Sequence, residues 1–175
     1  MTTPRATGQP EVRDDATWIV LTRHFAAPVE DVWAAVTEPG RLERWIGTWT
    51  GDPASGSVTL RMTAEAEMPE EVHHIEACEP PRLLRTRAHG EGPDGDWHLE
   101  LRLTEEDGGT TLHFGQALPD PSWARSVGPG WDYYLDRLVA AETGGDVSGI
   151  DFDRDYYPAL SADYEARFPA TPDRS

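Results

Sequence analysis

Residues 97–118 read WHLELRLTEEDGGTTLHFGQAL. Trp97, Leu99, Leu101 and Leu103 alternate with His98, Glu100 and Arg102, the period of a strand with one apolar face. Asp107-Gly108 is a two-residue hairpin signal. Folding the chain back at that turn sets Leu103 against Leu112, Leu101 against Phe114 and Arg102 against His113. The two apolar faces then coincide, and a slip of one residue would separate them.

Working outward, the same texture repeats. Ser57 to Ala64 alternates with Val58, Leu60, Met62 and Ala64 on one face. Glu71 to Cys78 is a strand that Pro80-Pro81 stops. Leu83 to Ala88 places Leu84, Thr86 and Ala88 opposite Arg85 and Arg87. Trp18 to Phe25 is a first strand, with Ile19, Leu21, Arg23 and Phe25 on one side. Pro28 then opens a helix, where its missing N–H costs nothing. Glu30 and Asp31 suit that positive helix end, and Val29, Val32, Trp33 and Val36 form one apolar stripe. Pro39-Gly40 breaks it, and a second short helix carries Leu42, Trp45 and Ile46. Pro119 to Gly130 reads as a loop. The longest helix is expected from Trp131 to Glu142, with Trp131, Tyr134, Leu135, Leu138 and Val139 inward and Gly144-Gly145 at its end. A one-sided apolar sheet needs a cover, and this helix is the element large enough. The fold class is therefore α+β, with a curved antiparallel sheet around a long C-terminal helix and two short helices after the first strand.

Three regions are expected. Residues 1–16, polar and aperiodic, form a disordered lead-in. Residues 17–145 form the domain. Residues 146–175 form a tail in which Tyr157, Leu160, Tyr164 and Phe168 have helical spacing, predicting a short amphipathic helix docked on the body.

Composition narrows the function classes. The 175 residues suit a single core, and the net charge is −17, with all 15 basic residues Arg. Such a surface repels nucleic-acid phosphates and anionic membranes. No apolar run approaches the ~18 residues of a membrane helix, and the N-terminus lacks a signal-peptide pattern, so a cytoplasmic location is expected. The single cysteine, Cys78, excludes an intramolecular disulfide and a Cys-rich zinc site; a buried structural thiol is expected there. His73 and His74 are strand neighbours and point to opposite faces. His98 pairs with Ala117, so at ~3.3 Å per residue it sits about 13 Å from His113, too far to share a metal. No metal, cofactor, phosphate loop or nucleophile elbow is expected.

Short motifs then come into register with a known family. Phe25-Ala26-Ala27-Pro28-Val29-Glu30-Asp31-Val32-Trp33, Thr37-Glu38-Pro39 and Leu42-Glu43-Arg44-Trp45 resemble the opening of the SRPBCC (START-like) superfamily. The branch they resemble is the homologues of the activator of the heat-shock-protein-90 ATPase. Ile75-Glu76-Ala77-Cys78-Glu79-Pro80-Pro81-Arg82-Leu83 is similar to that branch's strand before its Pro-Pro turn. Gly130-Trp131 with Tyr134-Leu135-Asp136-Arg137-Leu138 is similar to its closing helix. The resemblance spans roughly residues 18–143 and implies the helix-grip fold, with a cavity between sheet and long helix. The superfamily includes lipid carriers, hormone receptors and polyketide cyclases, so the fold alone does not name an activity. Two departures stand out. Nothing here is expected to encode the activator's separate chaperone-binding domain, and the family's Trp after the Pro-Pro turn is absent, since Arg87 follows Thr86.

With the apolar faces inward, the implied cavity is lined by Leu60, Met62, Thr86, Leu99, Leu101, Phe114, Trp131, Tyr134 and Leu138. Trp33, Trp45 and Trp49 fall at its closed end or mouth. Each of these side chains also fits a filled core. Arg23, on the face of Ile19 and Leu21, is a candidate for orienting an anionic ligand. No catalytic residue is identified. The leading expectation is binding of an apolar or amphipathic small molecule as a carrier, sensor or sequestering protein. The first alternative is a cyclase or dehydratase type of enzyme that holds a flexible substrate, with Tyr134 as proton donor. The second is a co-chaperone-like protein-interaction module using Tyr156, Tyr157, Tyr164 and Phe168.

Overall fold

A computed structural model describes residues 4–89 and 96–169. Residues 1–3 of the expected lead-in and 170–175 of the tail lie outside the described residues. The strands are β1 (Gln9–Arg13), β2 (Ala16–Phe25), β3 (Thr48–Thr50), β4 (Ser57–Arg61), β5 (Glu70–Glu79), β6 (Leu83–His89), β7 (Asp96–Glu106) and β8 (Gly109–Leu118). They form one curved, unclosed antiparallel sheet in the order β1-β2-β8-β7-β6-β5-β4-β3. The helices are α1 (Val29–Thr37), α2 (Pro39–Leu42), α3 (Ala124–Thr143), α4 (Phe152–Asp155) and α5 (Ser161–Arg167). The long helix α3 covers the inner face of the sheet, which is the helix-grip arrangement.

The hairpin expected at Asp107-Gly108 forms in the expected register, with Leu103 opposite Leu112, Leu101 opposite Phe114 and Arg102 opposite His113. Both turn residues have positive φ, 49° at Asp107 and 77° at Gly108, as a type I′ turn requires. In β5 the register shifts between Ile75 and Ala77. A bulge of this kind reverses the alternation, so Cys78 rather than Ala77 follows Ile75 onto the inner face.

Three sequence expectations are corrected. Residues 9–13 of the lead-in are ordered as β1, an edge strand paired to β2 from Gln9↔Val20 to Arg13↔Ala16. The connection is a two-residue turn in which Asp14 and Asp15 have φ of 49° and 66°. Asp tolerates the left-handed region, but an Asp-Asp pair is not the Gly-containing signal that marks such turns.

The second correction concerns α3, which begins at Ala124, seven residues before Trp131. Gly128, Pro129 and Gly130 read as loop formers, yet all three are helical. Pro129 cannot donate to the carbonyl of Arg125 four residues back. The Ser161 hydroxyl at the head of α5 donates to that oxygen instead, at 3.0 Å. Gly128 is needed for space: a Cβ there would stand 2.6 Å from the Tyr164 ring.

The third correction concerns one residue of the tail. The docked helix is present as α5, with Leu160, Tyr164 and Phe168 buried in the main core, but Tyr156 joins them and Tyr157 is exposed.

Asp132, in the middle of α3, has no exposed surface. It ion-pairs with Arg23 of β2 at 2.9 Å, accepts the Thr7 hydroxyl and the Tyr164 hydroxyl, and receives the Thr7 backbone N–H at 3.3 Å. Tyr164 Oη in turn accepts the Gly8 N–H at 3.0 Å. One turn on, Asp136 pairs with Arg23 at 3.1 Å and accepts the Tyr156 hydroxyl at 2.7 Å. Burial pushes both tyrosines well above their ordinary pKa, and the neighbouring carboxylates add to the effect; they remain hydroxyl donors.

Two stability measurements follow. Asp132→Ala removes the fully buried one of Arg23's two carboxylates and leaves the Thr7 and Tyr164 hydroxyls without their acceptor, and is expected to cost roughly 3–5 kcal/mol in urea unfolding; Asp136→Ala, at a carboxylate one-third exposed, is expected to cost clearly less. Gly128→Ala ordinarily stabilises a helix by about 1 kcal/mol; here it is expected to lower the Tm because the Tyr164 ring occupies the space.

Candidate functional site

Between the sheet and α3 lies a cavity of about 960 Å³, at the upper end of the range for small-molecule sites. Alternation along the strands builds its floor. Val58, Leu60 and Met62 come from β4 and the residue after it, and His73 and Ile75 from β5. Leu84 and Thr86 come from β6, Leu99 and Leu101 from β7, and Phe114 from β8. The roof is a stripe on α3, with Val127, Gly130, Trp131 and Tyr134 at i, i+3, i+4 and i+7. Trp33 of α1, with Trp45 and Trp49, closes the α1 side.

The structure thus gathers Trp33, Trp49, Leu60, Met62, Thr86, Leu99, Leu101, Phe114, Trp131 and Tyr134 around one space. Two sequence candidates lie elsewhere. Arg23 faces inward but is taken up by Asp132 and Asp136, so no anionic ligand meets it in the cavity. Leu138 is fully buried in the core, one turn past the lining stripe. Cys78 is also corrected: it is exposed. It lines the cavity together with the exposed Pro53, Ser122, Arg125 and Ser126, and these residues mark the mouth.

Polar groups in the lining are few. Three indole N–H groups are engaged away from the space: Trp45 donates to Ala35 O at 3.0 Å, Trp49 to Thr37 O at 2.7 Å and Trp131 to Gln116 Oε1 at 2.6 Å. What they present to the cavity is aromatic surface, with Trp131 and Phe114 packed at 4.2 Å between centroids. The Tyr134 hydroxyl donates to Glu65 at 2.8 Å. Burial, reinforced by the Glu65 carboxylate, pushes its pKa well above the ordinary tyrosine value, so it is a donor and not a base at any ordinary pH. His73, which the sequence offers only as a rejected metal ligand, also lines the cavity. Its ring Nδ1 lies 3.1 Å from Thr86 Oγ1, and its Nε2 is buried without a hydrogen-bond partner. Its signal was available: it sits two residues before Ile75 on the face opposite His74.

Residues 26–142 match the family model described as Activator of Hsp90 ATPase homolog 1-like protein. The chain belongs to this family. No curated protein matches it. Among solved structures, this family member is similar to CalU16 from Micromonospora echinospora: the crystal structure is 28% identical, covers 96% of this chain and 99% of that one, and gives a TM-score of 0.70. DynU16, a protein in the dynemicin biosynthetic locus, is 26% identical over 74% of this chain and 49% of its own, with a TM-score of 0.63. The protein encoded by gene BPP1335 of Bordetella parapertussis shares the fold, at 24% identity over 95% of both chains and a TM-score of 0.68. Among the described residues, no helix of this family member is long and apolar enough to cross a membrane.

Cys78 gives a direct check on the mouth. The native protein is expected to react with one equivalent of a water-soluble aromatic disulfide reagent without denaturant, read by thiolate release; reaction only after unfolding would place the thiol inside.

Proposed function

We propose that this family member binds an apolar or amphipathic small molecule in the cavity between its sheet and α3. The observation that carries this reading is the cavity itself, whose apolar and aromatic walls are too far apart to fill it with their own side chains. Interiors normally pack to crystal-like density with few voids larger than a water, so a space of about 960 Å³ is out of keeping with a purely structural core. The membership of DynU16 in a biosynthetic locus supports a small organic molecule as the class of occupant. The protein-interaction alternative loses its main candidate surface, because Tyr156, Tyr164 and Phe168 of the tail are spent on the chain's own core. An enzymatic role would have to run on Tyr134 and His73, the polar side chains set deepest in the lining.

Native mass spectrometry of freshly purified protein is expected to show an adduct that disappears on unfolding. Leu99→Trp, which adds bulk on the cavity floor, is expected to lose the adduct while keeping its circular dichroism spectrum. The reading fails if the wild type carries no adduct and no member of an acyl and aromatic polyketide-like panel raises its Tm.

A further inference from the structure

Of the buried polar side-chain atoms in the cavity wall, one among the described residues has no hydrogen-bond partner. His73 is 7% exposed, and it lines the cavity from the middle of β5. Among the described residues, two buried side-chain polar atoms have no hydrogen-bond partner, His73 Nε2 and Glu142 Oε1; only His73 belongs to the cavity wall. A buried polar atom left unpaired is costly and uncommon. We propose that His73 is the polar anchor of the cavity, donating from Nε2 to a carbonyl-type oxygen on a neutral ligand with an apolar body. This rests on the binding reading above and adds to it the chemical class of the ligand.

The direction of the hydrogen bond follows from the neighbours. The Glu71 carboxylate Oε2 lies 3.4 Å from Nε2, without the alignment of a hydrogen bond. A lone pair on Nε2 would face that negative oxygen; an N–H there is favoured by it. The ring proton therefore sits on Nε2, and the Thr86 hydroxyl donates to Nδ1 across the 3.1 Å contact. Either tautomer leaves one ring nitrogen as donor and one as acceptor, and Glu71 selects between them.

The charge of the ligand follows from the same wall. Glu65 and Glu71 both line the cavity, and the one arginine that lines it among the described residues, Arg125, is exposed at the mouth. An anionic group brought to Nε2 would be desolvated beside Glu71, which is unfavourable at short range. An ammonium has no lone pair to offer the Nε2 proton. A neutral ketone, quinone, ester or amide oxygen meets both conditions. The rest of the molecule faces indole and aliphatic surface, which calls for a flat or branched hydrocarbon body.

A matched pair of probes isolates the carbonyl. Fluorenone and fluorene differ by one oxygen and share a flat tricyclic body. Binding is read by quenching of tryptophan fluorescence, since Trp33, Trp45, Trp49, Trp97, Trp123 and Trp131 all line the cavity. Comparing affinity ratios between proteins cancels the probes' different solubilities in water. In His73→Phe the fluorenone-to-fluorene ratio is expected to fall roughly fivefold, the scale of one neutral hydrogen bond, with fluorene affinity kept or improved. In His73→Gln, whose amide N–H reaches a similar point, part of the ratio should return. An unchanged ratio in a folded His73→Phe overturns the anchor while leaving the binding reading standing. Failure of both probes to bind the wild type overturns the two together. If His73→Phe does not fold, the imidazole nitrogen resonances of His73 in the wild type decide. A shift with fluorenone and not with fluorene supports the anchor, and the same response to both overturns it.

Discussion

The Asp132 carboxylate, buried in the middle of α3 and held by Arg23, Thr7 and Tyr164, is the interaction on which the rest of the architecture hangs. A buried ion is tolerated only when its lone pairs are matched. Matching this one recruits a strand of the sheet, the segment ahead of β1 and the last described helix. Each recruited element then has its own reason to stay: Thr7 and Gly8 are anchored beside β1, and Tyr164 fills the space that Gly128 leaves open.

This gives α3 two working faces instead of one. Gly128, Asp132 and Asp136, at i, i+4 and i+8, look toward β2 and the tail, where contacts are tight and polar atoms paired. Val127, Gly130, Trp131 and Tyr134 look into the cavity. The helix is clamped along one stripe, so it does not have to collapse onto β4–β7 along the other. A sheet that curves around a helix held in this way keeps an open volume between them. Of the aromatic side chains around that volume, Trp45, Trp49 and Trp131 are kept in place by hydrogen bonds from their indole N–H groups to backbone and Gln116.

The fold was readable where local pattern and tertiary demand agree. Alternation from Trp97 to Leu103 and the Asp107-Gly108 turn set a register that the structure keeps, and the same alternation put most of the cavity floor on one face. It was unreadable where a distant residue reverses a local preference. Pro129 is acceptable inside α3 because Ser161, far along the chain, takes over the freed carbonyl; Gly128 is there for Tyr164. Both look like loop residues until α5 is in place. Arg23 was correctly placed on the inner face, but no pattern in β2 reveals that two aspartates on a helix over a hundred residues away will claim it. Cys78 was assigned by the usual habit of lone cysteines, and the bulge in β5 brings it out at the mouth instead. His73 figures in the sequence only as a metal candidate that strand geometry sets aside; its unpaired Nε2 is visible only in three dimensions.

The Asp132 cluster also sets the order in which the molecule becomes complete during synthesis. Thr7 and Gly8 emerge first, Arg23 soon after, and Asp132 only once the whole sheet has been made; Tyr164 follows last. Contacts between positions 7 and 132 and between 8 and 164 are among the longest sequence separations the chain offers, and such closures are slow to form. Until they do, the Asp132 carboxylate on α3 lacks part of its shell. The tail, made last, supplies the Tyr164 hydroxyl that completes this shell and the ring that packs against Gly128 of α3.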